Sequence, residues 1–155
     1  MNKNLVIAVV ILFILLFVLI GCFESTKEDS IDYDSEYLEF LEEYHNETKN
    51  YIDNITKYKD EGNTAMIVYW CEKAISDLYS NISKLLDFKI SDDLAFCRNY
   101  SIKGYNCLFD GCRDLIKGYT GNFTDENSNY FVSAQENFDK FEYYNYIASY
   151  CYSNR

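Results

Sequence analysis

Between Tyr37 and Tyr58 the chain places Tyr37, Leu41, Tyr44, Thr48, Tyr51, Ile55 and Tyr58 in steps of four and three. That rhythm gathers them on one stripe of a helix and holds it over three heptads, a pattern no strand can use. Three later stretches repeat it. The first carries Val68, Cys71, Ile75, Leu78, Ile82 and Leu85. The next carries Leu94, Cys97, Ser101, Tyr105, Leu108, Cys112, Leu115 and Tyr119, and the last Phe131, Ala134, Phe138, Phe141, Asn145, Ala148 and Tyr152. Proline is absent, so the helices end only where softer signals end them. In "DEGN" Gly62 suits a helix stop and Asn63 the next N-cap. In "KISDD" Ser91 is the N-cap, with Asp92 and Asp93 at the positive end of the helix dipole. "GYTGNFT" is the last turn, with Thr124 as cap. Gly104 and Gly111 fall inside the third stretch; each costs about 1 kcal/mol in a helix interior and marks a kink or a split.

Long helices joined by short connections pack as antiparallel neighbours, and a repeat near 3.5 residues implies crossings of about 20°. The expected fold class is therefore all-α, an antiparallel up-down four-helix bundle over residues 31–155. Leu78, Ile82, Leu108 and Phe138 belong to its core. Stacked hairpins of the tetratricopeptide type are the rival, but they need shorter helices and a repeat of about 34 residues that the chain does not display.

Ahead of the bundle, Leu5 to Ile20 carries no polar side chain and follows Lys3. A charged start before an apolar run is the layout of a secretory leader. The run reaches about 24 Å as a helix, short of a bilayer core of roughly 30 Å. It ends in "LIGC", Leu19-Ile20-Gly21-Cys22, which resembles the lipobox of prokaryotic lipoproteins. The resemblance implies a diacylglyceryl thioether on Cys22 and cleavage after Gly21. An uncleaved membrane helix and ordinary leader cleavage are the other two fates. In every case residues 24–155 lie on the extracytoplasmic side. Residues 1–21 are thus a signal peptide or anchor, and 22–30, including "FESTKEDS", a tether.

The formal charge is −11, the reverse of the basic face that nucleic acid demands. An exported chain with six cysteines reads as disulfide-bonded. With Cys22 lipidated, level positions in the antiparallel pairs favour Cys71–Cys112 and Cys97–Cys151 and leave Cys107 free or intermolecular. No zinc spacing is present and the only histidine is His45, so neither metal nor cofactor is expected. "DENSNYFVSAQE" spaces its oxygens like a calcium loop, but Tyr130 stands where that loop needs glycine; a helix start fits better. N-x-[ST] triplets begin at Asn46, Asn54, Asn81, Asn99 and Asn122, candidate glycosylation sites in an exported chain.

No catalytic constellation emerges. His45 has no nucleophile beside it, and Glu42-Glu43 and Asp92-Asp93 read as solvated charge rather than a glycosidase pair. The function expected is a non-catalytic, membrane-tethered extracytoplasmic protein with an interaction or spacer role at the cell surface. It is held to the membrane through its N-terminus and faces an unknown protein or surface partner, not nucleic acid. The alternative is a small-ligand or ion-binding lipoprotein with a pocket inside the bundle, around Ser101, Gly104 and Asn145.

Overall fold

The computed structural model describes residues 33–121 and 125–153, the side chains of 125–127 and 151–153 excepted. The leader, Cys22 and Asn122 lie outside the described residues. Four helices follow in order: α1 (Tyr33–Asp60), α2 (Thr64–Asp87), α3 (Asp92–Thr120) and α4 (Asp125–Ser153). The chain is an all-α four-helix bundle. The helices pair serially, α1 with α2, α2 with α3 and, most extensively, α3 with α4. α1 and α4 make only marginal backbone contact.

The turns carry their local chemistry. Gly62 is the one described residue of positive φ, at +66°. The Asn63 N–H donates to the Tyr58 carbonyl at 2.8 Å and that of Gly62 to Lys59 at 3.1 Å, a Schellman closure that needs the left-handed glycine. The Asn63 side chain then accepts from the Met66 N–H at 3.2 Å and starts α2. Ser91 occupies the N-cap of α3 with extended backbone but makes no side-chain cap bond. Its own N–H donates to Asp34 Oδ1 at 2.8 Å, tying this turn to the start of α1. Phe88, just before that turn, lies edge-on to Tyr37 and against Phe40, closing this end of the core.

The stripe of α1 is buried as its spacing requires, from Tyr37 to Ile55, with Tyr58 half-buried. On α2 the buried line is Ile67, Cys71, Ala74, Leu78, Asn81 and Leu85. Val68, Ile75 and Ile82 are only half-buried, so the helix is rotated toward its smaller and more polar edge. On α4 the buried residues are Ala134, Phe141 and Ala148, while Phe131, Phe138 and Asn145 are half-buried. Burial was thus expected correctly for Leu78 and Leu108, and overstated for Ile82 and Phe138.

α3 runs unbroken through its glycines. Gly104, Gly111 and Gly118 recur every seven residues and face α4. A Cβ at Gly104 would touch Tyr144 and Phe141, and one at Gly111 would meet the Ala134 carbonyl oxygen at 3.4 Å. The glycines do not split the helix. They let two helix backbones approach, and that packing offsets their poor helix propensity.

Candidate functional site

Among the described residues Tyr44, Thr48, Tyr51 and Asn81 bring buried polar groups together at mid-bundle. Tyr44 of α1 packs against Tyr105 of α3 with ring centroids 4.5 Å apart. Its hydroxyl is buried and faces Asn81 of α2 without completing a hydrogen bond. Burial, and then the neighbouring Tyr105, push the Tyr44 phenol well above its ordinary range. Tyr51 donates to Asp77 Oδ2 at 2.5 Å; burial first, and that bond second, raise its phenol as well. Thr48 folds its hydroxyl back onto the Tyr44 carbonyl at 2.6 Å. These groups fix helix register. They contain no paired nucleophile and base.

The two tyrosines set an alkaline limit. Their folded-state pKa values lie above the ordinary 10.0, so their contribution is complete below about pH 10 and is lost as pH rises toward the folded values. The urea midpoint should hold steady up to about pH 10 and fall beyond it. Tyr44→Phe should reduce that fall and be neutral or slightly stabilising at pH 7, because the hydroxyl it removes is unsatisfied.

A second polar tie, missed by the apolar spacing, lies between α3 and α4. Asp114 is buried and accepts from Ser133 Oγ at 2.7 Å, with Lys117 Nζ at 3.6 Å. His45 is exposed but not idle: its Nδ1 lies 3.2 Å from Asn145 Nδ2, across the seam between α1 and α4. That contact, together with the packing of Tyr144 and Phe141 over Gly104, fills the place where Ser101, Gly104 and Asn145 were expected to open a pocket. The open space lies instead toward the far end of α1. A cleft of about 410 Å³ is floored by Ile55, Leu115, Ala134 and Phe141, with Lys59, Gln135 and Glu142 among its lining residues.

The expected Cys71–Cys112 bridge is not formed in this structure, where Cys71, Cys107 and Cys112 are free thiols. Cys71 and Cys112 nevertheless meet between α2 and α3. The hydrogen bond between them and their burial raise the Cys112 thiol well above its ordinary value. Cys107 is half-buried, away from the pair, and burial raises it too. Cys97 is buried on α3, and the side chain of Cys151 lies outside the described residues. Of the sequons, Asn46 and Asn99 are exposed and Asn54 is half-buried, its amide bonded to the Asn50 carbonyl at 2.7 Å. Asn81 is only 8% exposed, so a glycan there does not fit the folded bundle. Residues 125–136 are helical, which no calcium loop of the EF-hand type can be.

The outer face of α3 and α4 holds what core spacing passed over. Phe96 packs on Tyr100, Tyr100 on Tyr144 and Tyr144 on Tyr143. Lys103 Nζ sits 4.8 Å from the Tyr100 ring centroid. Tyr143, Tyr146 and Tyr150 are 61%, 72% and 65% exposed. Their spacing of three and four, on the side of α4 opposite Ala134, Phe141 and Ala148, was legible as a second, solvent-facing stripe.

No protein-family model matches the chain, and comparison with curated proteins and with solved structures finds no match. Among the described residues no helix is long and apolar enough to cross a membrane, and no group of three or more His, Cys, Asp or Glu is placed to hold a metal ion.

Proposed function

We propose that this chain is a non-catalytic, membrane-tethered extracytoplasmic protein whose role is interaction at the cell surface. The observation that carries the reading is the aromatic surface from Phe96 across Tyr100, Tyr144 and Tyr143 to Tyr146 and Tyr150. Large aromatics exposed together mark a contact surface, and tyrosine suits one because an apolar ring ends in a hydroxyl. A photo-crosslinking residue at Tyr146, in the chain on its native membrane, should capture one defined species. The same residue at exposed Asp53 should not. Equal capture at both positions would overturn the reading.

The membrane address rests on "LIGC" after its apolar run. Cys22→Ser should abolish metabolic lipid labelling and leave the leader uncleaved. Native protein with an intact Met1 and an unmodified Cys22 would replace the lipoprotein with a membrane helix. In the oxidising setting of that address we place a bridge between Cys97 and Cys151. Its support is that Cys97 is disulfide-bonded while Cys71, Cys107 and Cys112 are free. Glycans, where the host makes them, belong on Asn46, Asn99 and Asn122.

The cleft between α1, α3 and α4 favours a second reading, a small-ligand lipoprotein. Its volume lies in the range of about 300–1,000 Å³ common to ligand sites, and its floor is apolar. An environment-sensitive naphthalenesulfonate dye should brighten on the native protein and not on Gln135→Trp, which would crowd the cleft. Identical dye responses would sink this second reading.

A further inference from the structure

We propose that Cys71 and Cys112 are a built cross-linking site, and that a disulfide oxidant joins them into a bridge locking α2 to α3. Both side chains are fully buried, both lie on the facing stripes of an antiparallel pair, and the two thiols are in hydrogen-bond contact. A disulfide has a bond of about 2.05 Å and needs Cα atoms within roughly 7 Å. Buried thiols in hydrogen-bond contact on paired helices approach that geometry by side-chain rotation. The competing partner, Cys107, is on the same helix as Cys112, and residues five apart on a helix point about 140° away from each other.

The pair does not line the cleft between α1, α3 and α4, and it belongs to no metal-binding group among the described residues. A hydrophobic core takes a cysteine readily, since free cysteine packs like a small apolar residue. Two cysteines meeting at one level of two helices ask for a further reason, and cross-linking supplies it.

The reaction balances with a low-molecular-weight disulfide such as oxidised glutathione. The two thiols lose two protons and two electrons and gain one S–S bond, and the oxidant is reduced to two thiols. Because the pair is sealed from water, exchange needs local opening of α2 from α3. Oxidation should therefore be slow in the native protein and fast in mild denaturant, and the finished bridge should resist external reductants.

The test uses the full chain, reduced and then equilibrated with oxidised glutathione, with remaining thiols alkylated in denaturant and mapped without reduction. The expected result is a Cys71–Cys112 peptide with Cys107 alkylated, unchanged by Cys107→Ser. The oxidised protein should melt higher than the Cys71→Ser/Cys112→Ser variant. Alkylation of Cys71 and Cys112 after that treatment, or linkage of either to Cys107, overturns the proposal. Whether the bridge exists in the cell rests on the extracytoplasmic reading above, and a second arm separates the two. Thiols are trapped by alkylation in protein taken directly from its native membrane. A bridge formed with glutathione but absent there supports the pair and overturns the address; a bridge in both supports both.

Discussion

Gly111→Leu is expected to push α4 away from α3 and to cost about 1–3 kcal/mol or more of stability. The reason is the atom it would meet. A Cβ at Gly111 already stands 3.4 Å from the Ala134 carbonyl oxygen, from Asn137 Cβ and from the Phe138 ring. The carbonyl belongs to the α4 backbone and cannot rotate aside, so every atom beyond Cβ must displace the helix. Gly111→Ala stops at ordinary contact and gains up to about 1 kcal/mol of helix propensity, so it should be neutral or stabilising. Gly118→Ala falls between them. Its Cβ would sit 2.9 Å from the Phe131 ring, but that ring is half-buried and has room to turn. Urea midpoints at constant m-value rank the three. A Gly111→Leu protein as stable as Gly111→Ala would mean that the helices do not approach as closely as described.

The second large effect is at the core. Leu78 on α2 and Leu108 on α3 are fully buried, and truncation of either to alanine should cost about 2–5 kcal/mol. For a domain whose whole stability is about 5–15 kcal/mol, either change alone approaches the unfolding threshold. Ile82→Ala and Phe138→Ala should cost less than their volumes suggest, because both side chains keep contact with water in the native state. If all four alanine variants unfold at the same urea concentration, the distinction between sealed and half-open positions is wrong.

Local spacing exposed much of this fold. The stripe of α1 was legible because its alternatives in the middle of the helix were polar: Glu42, Glu43, His45 and Glu47 flank Leu41, Tyr44 and Thr48 and leave no second apolar edge between them. α2 was harder. Ile67 and Val68, Ala74 and Ile75, Asn81 and Ile82 are neighbouring choices; hydrophobicity favours Ile75 over Ala74 and Ile82 over Asn81, and the three-four register of that pair carries Val68 along rather than Ile67. The positions of α1 and α3 chose the other edge, burying Ala74 and setting Asn81 opposite Tyr44. The glycines of α3 were misread as points of weakness, because a propensity is a property of one helix and their use depends on a second. Asp114 was invisible for the same reason, since its partner Ser133 comes from another helix. The tyrosine stripe of α4 was legible in the same three-four rhythm, on the side that faces solvent.

The serial pairing of the helices has a mechanical consequence. Each helix leans mainly on its neighbour in the chain, α1 adds the least extensive pairing and α4 the most. A steady pull on the N-terminal end therefore meets α1 first and can strip it from α2 while the glycine-packed α3–α4 pair holds. Load is released in order along the chain rather than shared around a closed ring. The aromatic face rides on the two helices that such a force would reach last.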